Sequence, residues 1–363
     1  MGKINVGLIF GGKSAEHEVS MQSAKNVYDA IDREKYNPIL IGIDKSGRWL
    51  LADESGFLIN ENNPKLIALN QSNDMVTFAP ESSGIISHIS TQGSDKSIDV
   101  AFPILHGPNG EDGTVQGLLK LANIPFVGAN VLGSAIGMDK DVMKRLLRDA
   151  GILIAKFETI KDGDTIPDFK KVIEKLGVPI FIKPANMGSS VGVNKVLTES
   201  EYKKAIAEAF EFDLKVILEE YIEGREIECS VLGNSDPIAS VVGEIRANQD
   251  FCSYEAKYIN ENGAILEIPA KIPHEVTKRA QELSIKTFKV LSCEGLGRVD
   301  MFLTKDYQIL VNEINTIPGF TKISMYPKLW EASGVSYSEL IDKLITLSLE
   351  RFEKEKKLKM NYL

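Results

Sequence analysis

Three shortages bound this sequence: little cysteine, no long apolar run, and no excess of positive charge. The three cysteines, Cys229, Cys252 and Cys293, are odd in number, far apart and form no C-x-x-C pair, so neither a disulfide framework nor a cysteine zinc site is indicated. No stretch approaches the roughly 20 apolar residues that span a bilayer. The apolar opening, residues 4–10, is very short and runs straight into Gly11-Gly12, so it reads as a first β-strand and not as a secretory leader. Lys and Arg number 42 against 51 Asp and Glu, a formal net charge of -9. That balance argues against a nucleic-acid or anionic-membrane partner, while leaving room for a local basic pocket that takes phosphate. Internal repeats and low-complexity tracts are absent. The expected setting is the cytoplasm.

What is present suits a folded α/β chain. Its 363 residues, 43% hydrophobic and 26% charged, are enough for two or three domains with real cores. In the first third, strands at 4–10, 38–43 and 99–105 alternate with a helix spaced through Ala24, Val27, Tyr28 and Ile31 and another at 114–123. The pattern predicts a doubly wound parallel domain over 1–128. Residues 52–97 give no assignable elements. A second unit, 129–222, has a charged amphipathic helix at 139–149 stopped by Gly151. It continues with a strand at 179–183, the loop Gly188-Ser189-Ser190-Val191-Gly192, a helix at 199–210 announced by the capping-box pair Thr198 and Glu201, and a strand at 215–222. A third unit, 223–363, has antiparallel flavour: strands at 226–232 and 238–245, a helix at 274–292, a hairpin of 297–303 with 308–314, and a C-terminal helix near 336–356. Between them, about 246–270, runs a connection with little pattern. Connections of that length are uncommon in compact domains and often serve as lids.

One motif is misleading. Gly7-Leu8-Ile9-Phe10-Gly11-Gly12-Lys13-Ser14 matches the phosphate-loop pattern G-x-x-x-x-G-K-S. The variable positions of such a loop turn their N–H groups towards phosphate. Here Leu8-Ile9-Phe10 continue a buried strand, so a tight turn at Gly11-Gly12 is the better reading.

The hairpin carries the strongest chemical signal. Arg298 and Asp300 share one face of the first strand, and Glu313 and Asn315 one face of the second. With the turn centred near Lys305-Asp306, Arg298 is expected opposite Glu313 and Asp300 opposite Val311. Two carboxylates and an amide oxygen suit Mg²⁺ or Mn²⁺ that also bind substrate phosphates. A plain Arg298–Glu313 ion pair is the alternative, and it leaves Asp300 and Asn315 unexplained. Lys183 ends a buried strand beside Gly188-Ser189-Ser190, a cation next to a loop of N–H and hydroxyl donors, which fits phosphate but also an ordinary hairpin. The acids of residues 219–226 read by default as solvated loop groups. His106 ends a strand in a glycine-rich loop, where catalytic groups of open sheets often sit, though a hydrogen-bonded loop histidine explains it as well.

Taken in order along nearly the whole chain, these segments resemble the D-alanine–D-alanine ligases of the ATP-grasp superfamily. The matching stretches are residues 11–20, Leu105-His106-Gly107 with Gly110-Glu111-Asp112-Gly113, Met138-Asp139-Lys140, Lys183-Pro184, residues 188–192, Tyr254-Glu255-Ala256-Lys257-Tyr258, Arg298-Val299-Asp300, residues 312–316 and Pro318-Gly319-Phe320-Thr321. The resemblance implies a three-unit ATP-grasp fold with ATP between the second and third units. It implies a reaction in which one D-alanine is phosphorylated to an acyl phosphate and the amine of a second displaces phosphate, making a dipeptide for peptidoglycan. It also implies two Mg²⁺ or Mn²⁺ ions held by Asp300, Glu313 and Asn315, and a homodimer.

Residue by residue, Lys140, Lys183 and Lys257 match the family's phosphate lysines. Ser190, Glu219, Tyr221, Ile222, Glu226, Phe302 and Asn312 match its other ATP contacts, and Arg298 and the Gly319 N–H its oxyanion contacts. Glu16, linked to Ser189 and Tyr258, matches the carboxylate on the first D-alanine's ammonium. His106 and Ser324 match substrate-side groups. Relatives that make D-alanyl-D-lactate or D-alanyl-D-serine depart near the lid and near Ser324. Here Lys257-Tyr258 and Ser324-Met325, in place of a Ser-Arg pattern, favour D-alanine as second substrate. A D-serine or D-lactate ligase, and more remotely a phosphate-loop kinase, are the alternatives.

Overall fold

The computed structural model describes residues 2–53, 56–61, 63, 66–70, 72, 74–89, 96–247 and 264–359. Most of the expected lid, with Lys257 and Tyr258, lies outside the described residues.

The first sheet is built from β1 (Ile4–Gly11), β2 (Tyr36–Ile43) and β3 (Trp49–Ala52). Two short ladders follow, β4 (Leu58–Ile59) with β5 (Ala68–Leu69) and β6 (Val76–Phe78) with β7 (Ile86–His88), before β8 (Val100–Ile104) returns to the sheet. The strand order is β3-β2-β1-β8, with β2 and β8 parallel to β1 and β3 an antiparallel edge. Alternation along β1 sends Val6, Leu8 and Phe10 into one core with Met21, Ala24 and Val27 of α1 (His17–Ala30). Ile9 goes to the opposite core with Val115 and Leu119 of α2 (Thr114–Leu121). Both faces are covered, which is why β1 reads as one continuous apolar run. The carboxyl ends of β1 and β8 deliver Gly11–Glu16 and His106 to the same edge. Residues 52–97 were illegible because ladders of two or three residues are too short to show a period.

The middle of the chain contributes α3 (Val131–Met138), α4 (Lys140–Asp149), β9 (Phe157–Lys161), α5 (Phe169–Leu176), β10 (Ile180–Pro184), β11 (Asn194–Val196), α6 (Glu199–Ala209) and β12 (Lys215–Glu220). Asp139 caps α4, its carboxylate accepting from the Asp141 and Val142 N–H groups at 3.1 Å. The capping box of α6 forms between Thr198 and Glu201. The antiparallel sheet β11-β10-β12-β9 turns Ile180, Ile182, Val216 and Leu218 onto Tyr202 and Ile206. The pleat therefore sends Phe181, Lys183 and Glu219 to the other face.

The third sheet has order β15-β14-β13-β16-β17, all antiparallel. Its strands are β13 (Arg225–Gly233), β14 (Ile238–Ala247), β15 (Ala264–Glu267), β16 (Gly295–Leu303) and β17 (Ile309–Asn315). With them come α7 (His274–Val290), α8 (Met325–Ala332) and α9 (Tyr337–Glu355). Ile227, Val299, Met301 and Val311 face α7 through Val276, Ala280 and Phe288. The last helix turns back to the first sheet, adding Leu340, Ile341, Leu344 and Ile345 to the core of Val6, Leu8 and Phe10. Among the described residues no helix is long and apolar enough to cross a membrane.

The hairpin register corrects the expectation. Asp300 lies opposite Glu313, and Arg298 opposite Asn315. The turn closes one position later than expected, with Leu303 opposite Ile309, and a bulge between Asp300 and Met301 leaves Asn312 as an extra residue. The two offsets add to two, one full pleat period, so the polar groups change partners without changing face.

Candidate active site

Between the second and third sheets lies a cleft of about 250 Å³. Of the residues singled out in the sequence, Lys140, Lys183, Ser189, Ser190, Glu219, Tyr221, Ile222, Glu226, Asp300, Phe302, Asn312 and Glu313 all line it. They come from α4, both facing sheets and the glycine-rich loop, segments up to 173 positions apart, with 313 minus 140 giving the span.

At one end the cleft is cationic. Lys140 donates to the Met187 carbonyl at 2.8 Å and lies 3.2 Å from the Glu313 carboxylate. Lys183 pairs with one oxygen of Glu219, and Lys144, which the sequence reading did not single out, pairs with the other. Lys144 is fully buried and Glu219 only 4% exposed. Burial alone would raise the Glu219 carboxyl, but Lys144 and Lys183 outweigh it and hold Glu219 below its ordinary range. Burial pushes the Lys144 ammonium down, Glu219 opposes that, and Lys183 adds to it.

Facing the lysines is a row of acids. Glu228, Asp300 and Glu313 occupy directly opposed positions on β13, β16 and β17. Like charges opposed across strands are destabilising unless cations intervene. Arg298 grips Asp300 in bidentate fashion at 2.7 and 2.8 Å and also reaches Glu228 at 2.8 Å, contacts that a plain Arg298–Glu313 ion pair, the alternative reading, leaves out. Asn315 donates to Asp300 at 3.1 Å. The three expected metal ligands thus stand together on one face as hard oxygen donors, and this donor set fits Mg²⁺ or Mn²⁺. Among the described residues no three His, Cys, Asp or Glu side chains gather into a metal-holding group. Two carboxylates and an amide suit an ion that takes its remaining ligands from phosphate and water.

The glycine-rich loop turns through Ser189 and Ser190, both with left-handed backbone, at φ of 52° and 62°. Such geometry costs on the order of 1–3 kcal/mol per residue and clusters at ligand clamps. It brings the Ser189 hydroxyl onto Glu16, to which it donates. The Glu16 carboxylate also lies against Gly107 and Gly188, where a Cβ would come within 3.2 Å of it. Glu16 therefore ties the first unit to the loop of the second.

His106 ties the first unit to the third. Its Nδ1 lies 2.9 Å from the Ile317 carbonyl, an acceptor only, so Nδ1 carries a proton, and its Nε2 lies 3.4 Å from the Ser23 hydroxyl. Burial pushes the imidazole below its ordinary range, against Glu16 and the Ile317 carbonyl. Ser23 in turn accepts from the Phe320 N–H at 3.2 Å. Glu111 carries no signal in the sequence beyond its place in the stretch Gly110-Glu111-Asp112-Gly113. It accepts from the N–H of Gly107 at 2.7 Å and of Ile317 at 3.2 Å. Burial, with Glu16, pushes its carboxyl up to about 8. Gly319 lies within the segment pinned by these bonds, between Ile317 and Phe320.

The other end of the cleft is aromatic. The rings of Phe181 and Tyr221 are 6.1 Å apart, and Lys195 sits 5.0 Å over Tyr221. Ser324 precedes α8 without capping it, its hydroxyl accepting instead from the Thr321 N–H at 3.0 Å. Met325 is buried against Gly243, where a Cβ would lie 3.0 Å from its Sδ. Neither Ser324 nor Met325 lines the cleft. The phosphate-loop look-alike stays in β1, ending at Gly11 and Gly12 with φ of 91° and 98°.

Comparison with known proteins places this architecture. The family model described as D-ala D-ala ligase N-terminus matches residues 5–129, and that described as D-ala D-ala ligase C-terminus matches residues 146–346. The D-alanine–D-alanine ligase of Oceanobacillus iheyensis is 58% identical over 361 residues, covering 98% of each chain. The structure of the D-alanine-D-alanine ligase from Coxiella burnetii superposes with a TM-score of 0.85 at 38% identity, covering 98% of this chain and 97% of that one. The VanG D-Ala:D-Ser ligase from Enterococcus faecalis superposes with a TM-score of 0.83 at 39% identity, covering 96% and 100%.

Proposed function

The chain belongs to the D-alanine–D-alanine ligase family, and from that premise we propose that it condenses two D-alanines at the expense of ATP, making the dipeptide used in peptidoglycan. The observation that carries the reading is the cleft in which Lys140 and Lys183 face the opposed Asp300–Glu313 pair.

Phosphoryl and then acyl transfer pass through states in which negative charge collects on oxygens, so fixed cations and donors do most of the work. Lys140 and Lys183 supply positive charge to the ATP phosphates, joined by Lys257. Ser190, Glu219, Tyr221, Ile222, Glu226, Phe302 and Asn312 hold the remainder of the nucleotide. Asp300, Glu313 and Asn315 would hold two Mg²⁺ or Mn²⁺ ions, which when bound neutralise phosphoryl charge. Glu16, steadied by Ser189 and by Tyr258, takes the ammonium of the first D-alanine, with His106 beside it. That substrate's carboxylate oxygen bonds to the γ-phosphorus as the bond to ADP breaks. The amine of the second D-alanine then bonds to the acyl carbon, loses a proton, and phosphate leaves. Arg298 and the Gly319 N–H face the oxyanion of that step, and Ser324 takes the second carboxylate. Closure of the lid over an acyl phosphate, which water hydrolyses readily, is part of the same reading.

A coupled assay tests it: ADP release must require D-alanine, and D-alanyl-D-alanine must accumulate. ADP formed at the same rate without D-alanine sinks the ligase reading. Among solved structures the D-Ala:D-Ser ligase superposes about as well as the D-alanine one, whereas the relative at 58% identity is a D-alanine–D-alanine ligase, which supports D-alanine as second substrate. Met325, standing where serine-type relatives resemble arginine, supports D-alanine. Competition among D-alanine, D-serine and D-lactate decides, with a majority of D-alanyl-D-serine overturning it. The assembly we take to be a homodimer, which light scattering reads as twice the chain mass.

A further inference from the structure

We propose that Lys144 is a positioning residue that frees Lys183 for the nucleotide's phosphates, by remaining behind as the counter-ion of Glu219. The proposal rests on the ATP-site reading above.

Three observations carry it. Glu219 divides its two oxygens between two ammonium groups, Oε1 to Lys144 and Oε2 to Lys183. The two lysines are not equivalent: Lys183 and Glu219 line the cleft and Lys144 does not. Lys144 rises from α4 one turn beyond Lys140, fully buried, with the ring of Phe157 5.9 Å from its Nζ. Among the described residues Glu219 is its only ion-pair partner.

A lysine that binds phosphate must leave whatever it holds beforehand. Lys183 holds a carboxylate that is almost completely buried. Removing one partner of a buried ion pair is strongly unfavourable because it strands the other charge without water. If Lys183 were the sole partner, phosphate would compete against that penalty and the lysine would stay on Glu219. With Lys144 fixed behind the carboxylate, Glu219 remains paired whichever way Lys183 points. The second lysine thus turns a locked ion pair into an exchangeable one. It also gives a fully buried lysine of α4 a reason to face Glu219.

The test compares ligands that do and do not recruit Lys183. Adenosine, ADP and ATP are titrated onto wild type, Lys144→Met and Lys144→Met/Glu219→Gln in the presence of Mg²⁺. Wild type must first bind ADP more tightly than adenosine; if it does not, the ATP-site reading itself fails, independently of Lys144. Given that preference, Lys144→Met is expected to lose at least tenfold of it, with adenosine affinity changed less than threefold. The double variant, in which a neutral amide no longer traps Lys183, is expected to regain the preference to within threefold of wild type. Equal weakening of adenosine and ADP by Lys144→Met, an unchanged preference, or a double variant no better than the single one each overturns the proposal. Where Lys144→Met does not fold, the double variant decides alone: a preference within threefold of wild type supports the counter-ion role, and one further below wild type overturns it.

Discussion

Glu111 offers the sharpest pH test of this site. It is buried, and burial together with Glu16 pushes its carboxyl from 4.5 up to about 8, against the two N–H groups of Gly107 and Ile317 that favour the ionised form. The sign follows from proton linkage. The unfolded chain releases this proton near 4.5, while the folded chain holds it to about 8. Between those values the folded state binds more protons, so stability falls as pH rises through the window and is level above it. At about 1.36 kcal/mol per pH unit, the loss has a ceiling of roughly 5 kcal/mol. Glu111→Gln has no proton to lose. Its amide keeps one acceptor but turns N–H groups towards a backbone N–H, a cost of about 1–3 kcal/mol at any pH. The variant should therefore melt below wild type at pH 5, and the gap should close or reverse by pH 8.5. Thermal melts at half-unit pH steps read this directly. A deficit that stays constant or widens with pH would mean that Glu111 is ionised throughout, with the two N–H bonds outweighing burial.

Three further outcomes are expected. Asp300→Ala or Glu313→Ala should cut turnover at least ~100-fold, as loss of fixed transition-state charge generally does; chelation of wild type should do the same and added Mg²⁺ or Mn²⁺ should reverse it, and turnover retained by either variant at millimolar Mg²⁺ would refute the metal assignment. Lys13→Ala should leave ATP affinity unchanged because the look-alike loop continues β1, whereas Lys183→Ala should weaken it at least tenfold, about 1.4 kcal/mol, by calorimetry; the reverse pattern would restore the phosphate-loop reading. Gly107→Ala puts a Cβ 2.7 Å from the Ser14 hydroxyl and 3.2 Å from Glu16 at a φ of 76°, with a backbone cost of about 1–2 kcal/mol; the KM for D-alanine should rise while that for ATP holds, and an equal rise in both would place Glu16 elsewhere in the mechanism.

How much of this was legible in the sequence depended on the range over which each signal acts. The apolar run of β1, the capping box at Thr198 and the alternation of Arg298 with Asp300 are local, and the structure contains all three. The face shared by Asp300, Glu313 and Asn315 was legible too, because a pleat preserves sides even when register slips by two. Their partners were not, since nothing in the mix of strand-favouring and polar residues around Asn312 marks where the bulge falls. The helix Val131–Met138 was missed because its small, largely apolar residues carry no amphipathic stripe. Lys144 and Glu111 were missed for a deeper reason. Hydropathy assigns a charged residue to solvent unless a partner is known; the partner of Lys144, Glu219, lies 75 positions away, and of the two partners of Glu111 one, Ile317, lies 206 positions away. A buried ionisable group is held in the core by such contacts or by keeping its neutral form. Residues of this kind are therefore the last to be read from sequence: here Lys144 pairs with the cleft-lining Glu219 from outside the cleft, and Glu111 joins the Gly107 loop to Ile317.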